Sequence, residues 1–245
     1  MKQHITSLAL TLGLALGAST SALANERPME LAGVTLGMDV KEAIALIKKN
    51  HPEYDSELKT EDNFGGTTNT TYVFRKLNPD ATKWSNQEFG SIAITAIDET
   101  GQVYSISRGE RVEEGSMKLK ALEEAAEAQF GKIMVDISNT FIWNYGNDAC
   151  RSLSARQIGV PGHSSFDTRY FNMRTQQYVN ASTLRSVNSD CDYVARMKYE
   201  ARGRTKDVVM YSTTIANPSL MAVVIDKNKA AAHKPTGDTS GVPKF

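Results

Sequence analysis

The sequence predicts an α+β fold: an antiparallel sheet with a helix packed on one face, built as two similar helix-plus-sheet halves. Three observations carry this. A capped amphipathic helix opens at Asp39, a β-hairpin turns at Asp98-Glu99-Thr100-Gly101, and the order helix-then-strands returns after Glu113. The halves run over residues 25–112 and 113–226, without a residue-by-residue repeat between them.

The first 24 residues read as a secretory leader. Lys2 and His4 form a short polar start, Ile5 to Ala18 is apolar, and Ala22-Leu23-Ala24 is an A-x-A cleavage site. The apolar run is shorter than the roughly 20 residues that a spanning helix needs. No later run is long enough to span, so a periplasmic or secreted domain beginning at Asn25 is expected.

Gly33 and Gly37 turn the chain into the first helix. Asp39 can accept from backbone N–H groups two and three residues on, and Glu42 completes a capping box. Val40, Ala43, Ile44 and Ile47 form one apolar stripe, flanked by Met38 and Ala43 as a hydrophobic staple. His51-Pro52 ends the helix, because a residue before proline disfavours the helical region. Tyr54 to Thr70 is polar, holds Gly65-Gly66 and reads as loop or edge. Thr71 to Leu77 reads as a strand, and Asn78 to Asn86, with Pro79 and Trp84, as a turn. Phe89 to Ile97 and Gln102 to Arg108 alternate around the Asp98–Gly101 turn as a hairpin.

In the second half, Met117 to Phe130 is predicted helical, capped by Ser116 and ended by Gly131. Leu119, Leu122, Ala126 and Phe130 are its buried stripe, and Lys120 and Glu124 can pair on its wet side. Ile133 to Tyr145 reads as extended around Phe141-Ile142-Trp143. Further strands are read at Tyr170 to Val179, Tyr193 to Ala201, Val208 to Thr214 and Leu220 to Ile225, with Asn217-Pro218-Ser219 as a turn. Lys227 to Phe245 is poor in large apolar residues and reads as a disordered tail.

The 28 Lys and Arg balance 28 Asp and Glu; without Lys2 the chain carries about −1, which offers no case for nucleic acid. Cys150 and Cys191 are the two cysteines, and in an exported chain they most simply form one disulfide. The stretch from Arg151 to Asp190 has five Arg, no Lys and two Asp, against an acidic remainder. Phe166, Tyr170, Phe171 and Tyr178 lie among those arginines. Arg forks grip phosphate and carboxylate and stack on aromatic rings. Arg169, Tyr170, Phe171 and Arg174 are therefore the candidate ligand-binding residues, for an anionic envelope molecule or an acidic protein partner.

No cofactor, metal site or catalytic set is expected. His51, His163 and His233 are scattered, with no H-x-x-x-H or H-E-x-x-H spacing. His163 with Ser164, Ser165 and Asp167 has the residue types of a nucleophile, base and orienter, but they are neighbours in sequence and no G-x-S-x-G elbow accompanies them. The carboxylate pairs Glu113-Glu114 and Glu123-Glu124 lie at a helix start and on a helix face, where solvated acids are ordinary.

Gly33-x-x-x-Gly37-Met38-Asp39-x-x-Glu42 resembles the first helix start of small exported bacterial α+β modules, among them the small lipoprotein of the outer-membrane barrel-assembly machinery and the β-lactamase inhibitor proteins. Phe130-Gly131-Lys132, followed by Trp143, resembles a stretch of uncharacterised exported proteobacterial proteins. The resemblance covers about 30 residues of structural punctuation, with Asp39 where those modules carry Ser or Thr and without their lipidated Cys. It implies an exported, non-catalytic module with a helix packed on a sheet, and no particular partner.

The function expected is an exported, envelope-associated binding module. A hydrolase of an envelope component using His163 and a nearby Ser is the alternative, and a purely structural envelope protein is the third. An intact-mass measurement on protein from the native host should give a chain beginning at Asn25; a mass that still includes Met1 to Ala24 contradicts the leader.

Overall fold

Tyr72 and Phe74 alternate with Thr71, Val73 and Arg75 along one strand, so that strand serves two sheet faces of different chemistry. The computed structural model describes residues 30–64, 67–77, 88–137, 139–146, 150, 171–172, 177–178, 191–203 and 206–232. Among them are β1 (Glu30–Leu31), β2 (Val34–Thr35), α1 (Val40–Asn50), β3 (Ser56–Phe64), β4 (Thr67–Leu77), β5 (Glu88–Ile97) and β6 (Gln102–Arg111). Then come α2 (Leu119–Phe130), β7 (Val135–Ile137), β8 (Thr140–Gly146), β9 (Phe171–Asn172), β10 (Gln177–Tyr178), β11 (Cys191–Arg202), β12 (Asp207–Ala216) and α3 (Pro218–Ala232).

Eight strands form one antiparallel sheet in the order β3-β4-β5-β6-β12-β11-β8-β7. The early half supplies a helix and then β3 to β6. The late half supplies a helix and then β7, β8, β11 and β12. The last strands of the two halves meet at the centre, paired from Arg111↔Met210 to Ser105↔Ala216.

Each helix is tied by the same backbone clasp to the last strand of its own half. Val103 N donates to Met38 O at 2.9 Å, and Val208 N donates to Met117 O at 2.9 Å. Val40 N donates to Gly101 O at 2.9 Å, and Leu119 N donates to Lys206 O at 3.0 Å. Asp39 bridges Gln102 just as Lys118 bridges Asp207. Gly101 and Lys206 both turn at positive φ, 68° and 50°.

The caps differ. Asp39 Oδ1 accepts from Lys41 N at 2.8 Å and Glu42 N at 3.4 Å, as the sequence predicts. Ser116 does not cap α2: its hydroxyl donates to Glu113 O at 2.7 Å. The clasp at Met117 and Leu119 starts that helix after Lys118, two residues beyond the serine, and Lys118 pairs its ammonium with Asp207. Gly131 ends α2 at φ 78°, where its N–H donates to Glu127 O at 2.8 Å.

Both helices cover the same sheet face. Ala43 and Ile47 of α1, and Leu122, Ala126 and Phe130 of α2, pack on a floor that includes Phe74, Ile94, Ile106, Ile215, Phe141 and Trp143. The Phe130-Gly131 corner and Trp143 meet here: the indole N–H donates to Gly131 O at 2.9 Å and the rings lie 5.0 Å apart.

Further sequence expectations fail at the last helix. Leu220 to Ile225 is not a strand but part of α3, and the tail expected from Lys227 begins inside that helix, which runs to Ala232. Asn217-Pro218-Ser219 is a helix start: Asn217 Oδ1 accepts from Ser219 N at 3.1 Å, and Pro218 occupies the first turn, where its missing N–H costs nothing. Met221, Val224 and Ile225 follow at helical spacing and pack on Ile97 and Tyr104, on the sheet face opposite α1 and α2. A short apolar run does not separate the two readings by itself. Residues 233–245 lie outside the described residues. The polar stretch from Tyr54 becomes the edge strand β3, whose Glu57, Lys59 and Glu61 are exposed.

Ile106 and Ile215 face each other across the central join and are fully buried. Ile106→Ala should cost about 2–5 kcal/mol. It should also lower the single unfolding transition of both halves in denaturant. Two separate transitions would contradict the continuous core.

Candidate functional site

The face opposite α1 and α2 is polar across its middle. One transverse row, read through the strand registers, is Ser56, Arg75, Ser91, Gly109, Ser212, Lys198 and Thr140. The next row places Ser107, Thr214 and Arg196 side by side. Of the described helices, α3 packs on this face, at the end marked by Ile97 and Tyr104. Small hydroxyl residues therefore form a floor with cations to either side. Ser91 is 4% exposed, Ser107 4%, Thr214 4% and Ser212 7%.

Buried hydroxyls need partners, and several find them across strands. Ser107 Oγ and Thr214 Oγ1 lie 2.6 Å apart, and Thr71 Oγ1 and Thr95 Oγ1 lie 3.1 Å apart. Arg75 Nη2 donates to Ser56 Oγ at 3.1 Å, while its buried Nε has no partner. Asn69, on the same face of β4 and 3% exposed, donates from Nδ2 to Thr67 O at 3.5 Å, and its Oδ1 has no partner. Burial lowers the pKa of the Arg196 guanidinium from its ordinary value. Chemically, the face offers cationic donors and hydroxyls that both give and accept hydrogen bonds.

The helix-covered face has a different polar cluster where the halves join. Arg108 and Glu110 come from β6, Tyr211 from β12 and Tyr54 from the connection after α1. Glu110 Oε1 accepts from Arg108 Nε at 2.9 Å and from the Tyr54 hydroxyl at 3.3 Å; Glu110 Oε2 accepts from the Tyr211 hydroxyl at 3.2 Å. Gly90 lies opposite Glu110 in register, and a Cβ there would come within 2.8 Å of the Tyr54 oxygen. The ring can thus lie on bare backbone. Both carboxylate oxygens are engaged, so this cluster ties the halves together. Beside it, a cavity of about 280 Å³ is lined by residues including Lys48, His51, Tyr54, Glu57 and Phe74. His51 caps the C-terminal end of α1, with Nε2 3.3 Å from Ala32 O. Lys48 and Glu57 pair there at 2.8 Å. Among the described residues no group of three or more His, Cys, Asp and Glu is placed to hold a metal ion. Nor is any described helix long and apolar enough to cross a membrane.

Of the residues singled out in the sequence, Arg169, Tyr170 and Arg174 lie outside the described residues, as do His163, Ser164, Ser165 and Asp167. Phe171 belongs to β9, which pairs with β10 through Phe171↔Tyr178. Cys150 is fully buried with Sγ 3.8 Å from Tyr145 O, and Cys191 opens β11 opposite Gly146 of β8. Sequence reasoning missed the transverse row. Its signal was the spacing of Arg75, Ser91, Ser212 and Lys198 on strands whose alternate residues are core. It became legible only once the register was known.

The Tyr211 phenol is pushed up to about 12 from its ordinary 10.0, by burial first and by the Glu110 carboxylate second. A phenol that keeps its proton longer in the folded chain contributes stability that is complete below the unfolded pKa and is lost as pH rises through the folded one. Wild-type stability should therefore fall more steeply between pH 10 and 12 than that of Tyr211→Phe. Parallel alkaline profiles in chemical denaturation would contradict this.

Comparison with family models, with curated proteins and with solved structures finds no match for the chain.

Proposed function

We propose that this chain is an exported, periplasmic or secreted, non-catalytic binding module associated with the cell envelope, and that the polar sheet face is where it binds. The observation that carries the reading is the contrast between the two faces. One is closed by α1 and α2 over an apolar core. The other carries hydroxyls, Arg75, Arg196 and Lys198. On that face Arg75 Nε and Asn69 Oδ1 are buried without a hydrogen-bond partner, and a buried polar atom left so costs about 1–3 kcal/mol. A ligand that supplies those partners offsets the cost.

The cleaved leader and a Cys150–Cys191 bridge belong to the same reading. Two features support the bridge: the β8–β11 register, which sets Cys191 four residues from Cys150 across the pair, and the lack of a free cysteine among the described residues. Closing about 40 residues would constrain the unfolded chain, a contribution of about 2–4 kcal/mol.

Affinity recovery of the protein from its own envelope, followed by identification of what it retains, tests the binding reading. Specific, salt-sensitive retention is expected, because exposed charges are screened within about 10 Å at 0.1 M salt. Recovery of nothing above an unrelated exported protein would overturn it. Thiol labelling of denatured, unreduced protein should modify neither cysteine; two labelled cysteines would overturn the bridge.

A further inference from the structure

We infer that the outer edge of β3 is a self-pairing surface: two copies of this chain join β3 to β3 in an antiparallel register centred on Thr60, so that their sheets run into one another.

The two edges of the eight-stranded sheet are unequal. β7 forms one with three residues, whereas β3 forms the other with nine, about 30 Å of strand. Among the described residues, β4 pairs with one side of β3 and no backbone group bonds to its other side. Alternate N–H and C=O groups of β3 therefore point outward unfilled, a template on which another strand can be laid. No proline or bulge interrupts it: the pairing with β4 is continuous from Ser56↔Arg75 to Phe64↔Thr67.

Charge decides which strand fits. Glu57, Lys59 and Glu61 share one face of β3 and are exposed. A two-fold axis normal to the sheet sets each residue of β3 opposite one on the same face of the second copy. Centred on Thr60, that axis places Lys59 against the partner's Glu61 and Glu61 against the partner's Lys59, with the two Thr60 side chains facing each other. Lys59 and Glu61 pair within the chain at 2.8 Å. The join keeps that contact and closes it into a ring of four charges, each flanked by two of opposite sign. Opposite charges and paired threonines are both favourable directly across strands. All nine residues of β3 are used.

The other registers are poorer. Centred on Lys59, lysine meets lysine and Glu57 meets Glu61. Centred on Glu61 or on Asp62, acid meets acid. Centred on Leu58, the strands overlap only from Ser56 to Thr60 and Asp55 meets Glu61. Like charges directly opposite are unfavourable, so the same side chains that favour one register turn away the rest. The pattern is its own complement, and a second copy is the occupant it fits. Neither sheet face is covered by such a join, so it stands independently of binding at the polar face.

The test follows the full mature chain by sedimentation velocity from about 10 to about 500 µM at about 50 mM salt. A reversible monomer–dimer equilibrium is expected. Lys59→Glu and Glu61→Lys, each with unchanged thermal unfolding, should each weaken self-association at least about fivefold, because each sets two like-charge pairs across the join. Mixed together, the two variants should associate at least as tightly as wild type, and the double variant carrying both changes should again self-associate. Under mild oxidation Thr60→Cys should form a covalent dimer at least about tenfold faster than Glu57→Cys, which this register holds away from its own copy beyond disulfide reach. A chain that stays monomeric at about 500 µM would overturn the inference. So would association indifferent to both charge variants, or equal cross-linking from positions 57 and 60. With a photoreactive side chain at Thr60 in the native envelope, an adduct of twice the chain mass supports the join. An adduct to a different protein alone gives the edge to a foreign strand and overturns it.

Discussion

The antiparallel join of β6 to β12 is the constraint on which the rest of this structure depends. Without it there would be two four-stranded sheets, each with a helix on one side and a bare central edge. With it, the floor under α1 runs into the floor under α2, and Ile106 and Ile215 sit at the middle of one core. Glu110 reinforces the join from β6 by accepting from Tyr211 of β12 and from Tyr54 after α1. The same join creates the transverse row, because Gly109 and Ser212 become neighbours only across it.

The clasp explains how so short a join orients two helices alike. Each helix begins one residue after a bridge to the first residue of its half's last strand. Since β6 and β12 run antiparallel, the helices also run in opposite senses over one face. Two helices on one face leave the other without that cover, and α3 packs against one end of it. The difference between the faces is therefore a consequence of topology before it is a matter of side chains.

Much of this was legible in the sequence. Asp39 and its stripe, Gly131, the Asp98–Gly101 hairpin and the alternation of helix and strands were read from local chemistry, which acts over three or four residues. The duplication was legible in order but not by residue. The structure aligns Met38-Asp39-Val40-Lys41 with Met117-Lys118-Leu119-Lys120, and only the Met and Lys positions are identical. What failed was decided by tertiary context. Ser116 lost its cap because the clasp sets the entry of α2 two residues later. Leu220 to Ile225 became helical because Asn217 and Pro218 start a helix and Ile97 and Tyr104 receive one apolar side. The candidate face escaped sequence reading altogether, since Arg75 and Lys198 are 123 positions apart and meet in one row only through five registered strands.

The central claim is that one sheet face seals the core and the other meets the ligand. Site-specific photo-cross-linking in the native envelope addresses it directly, with the photoreactive side chain placed at Lys198 in one protein and at Lys120 on the outer side of α2 in another. The account predicts a discrete adduct from position 198 and none from position 120. An adduct from position 120 with none from 198 would contradict it.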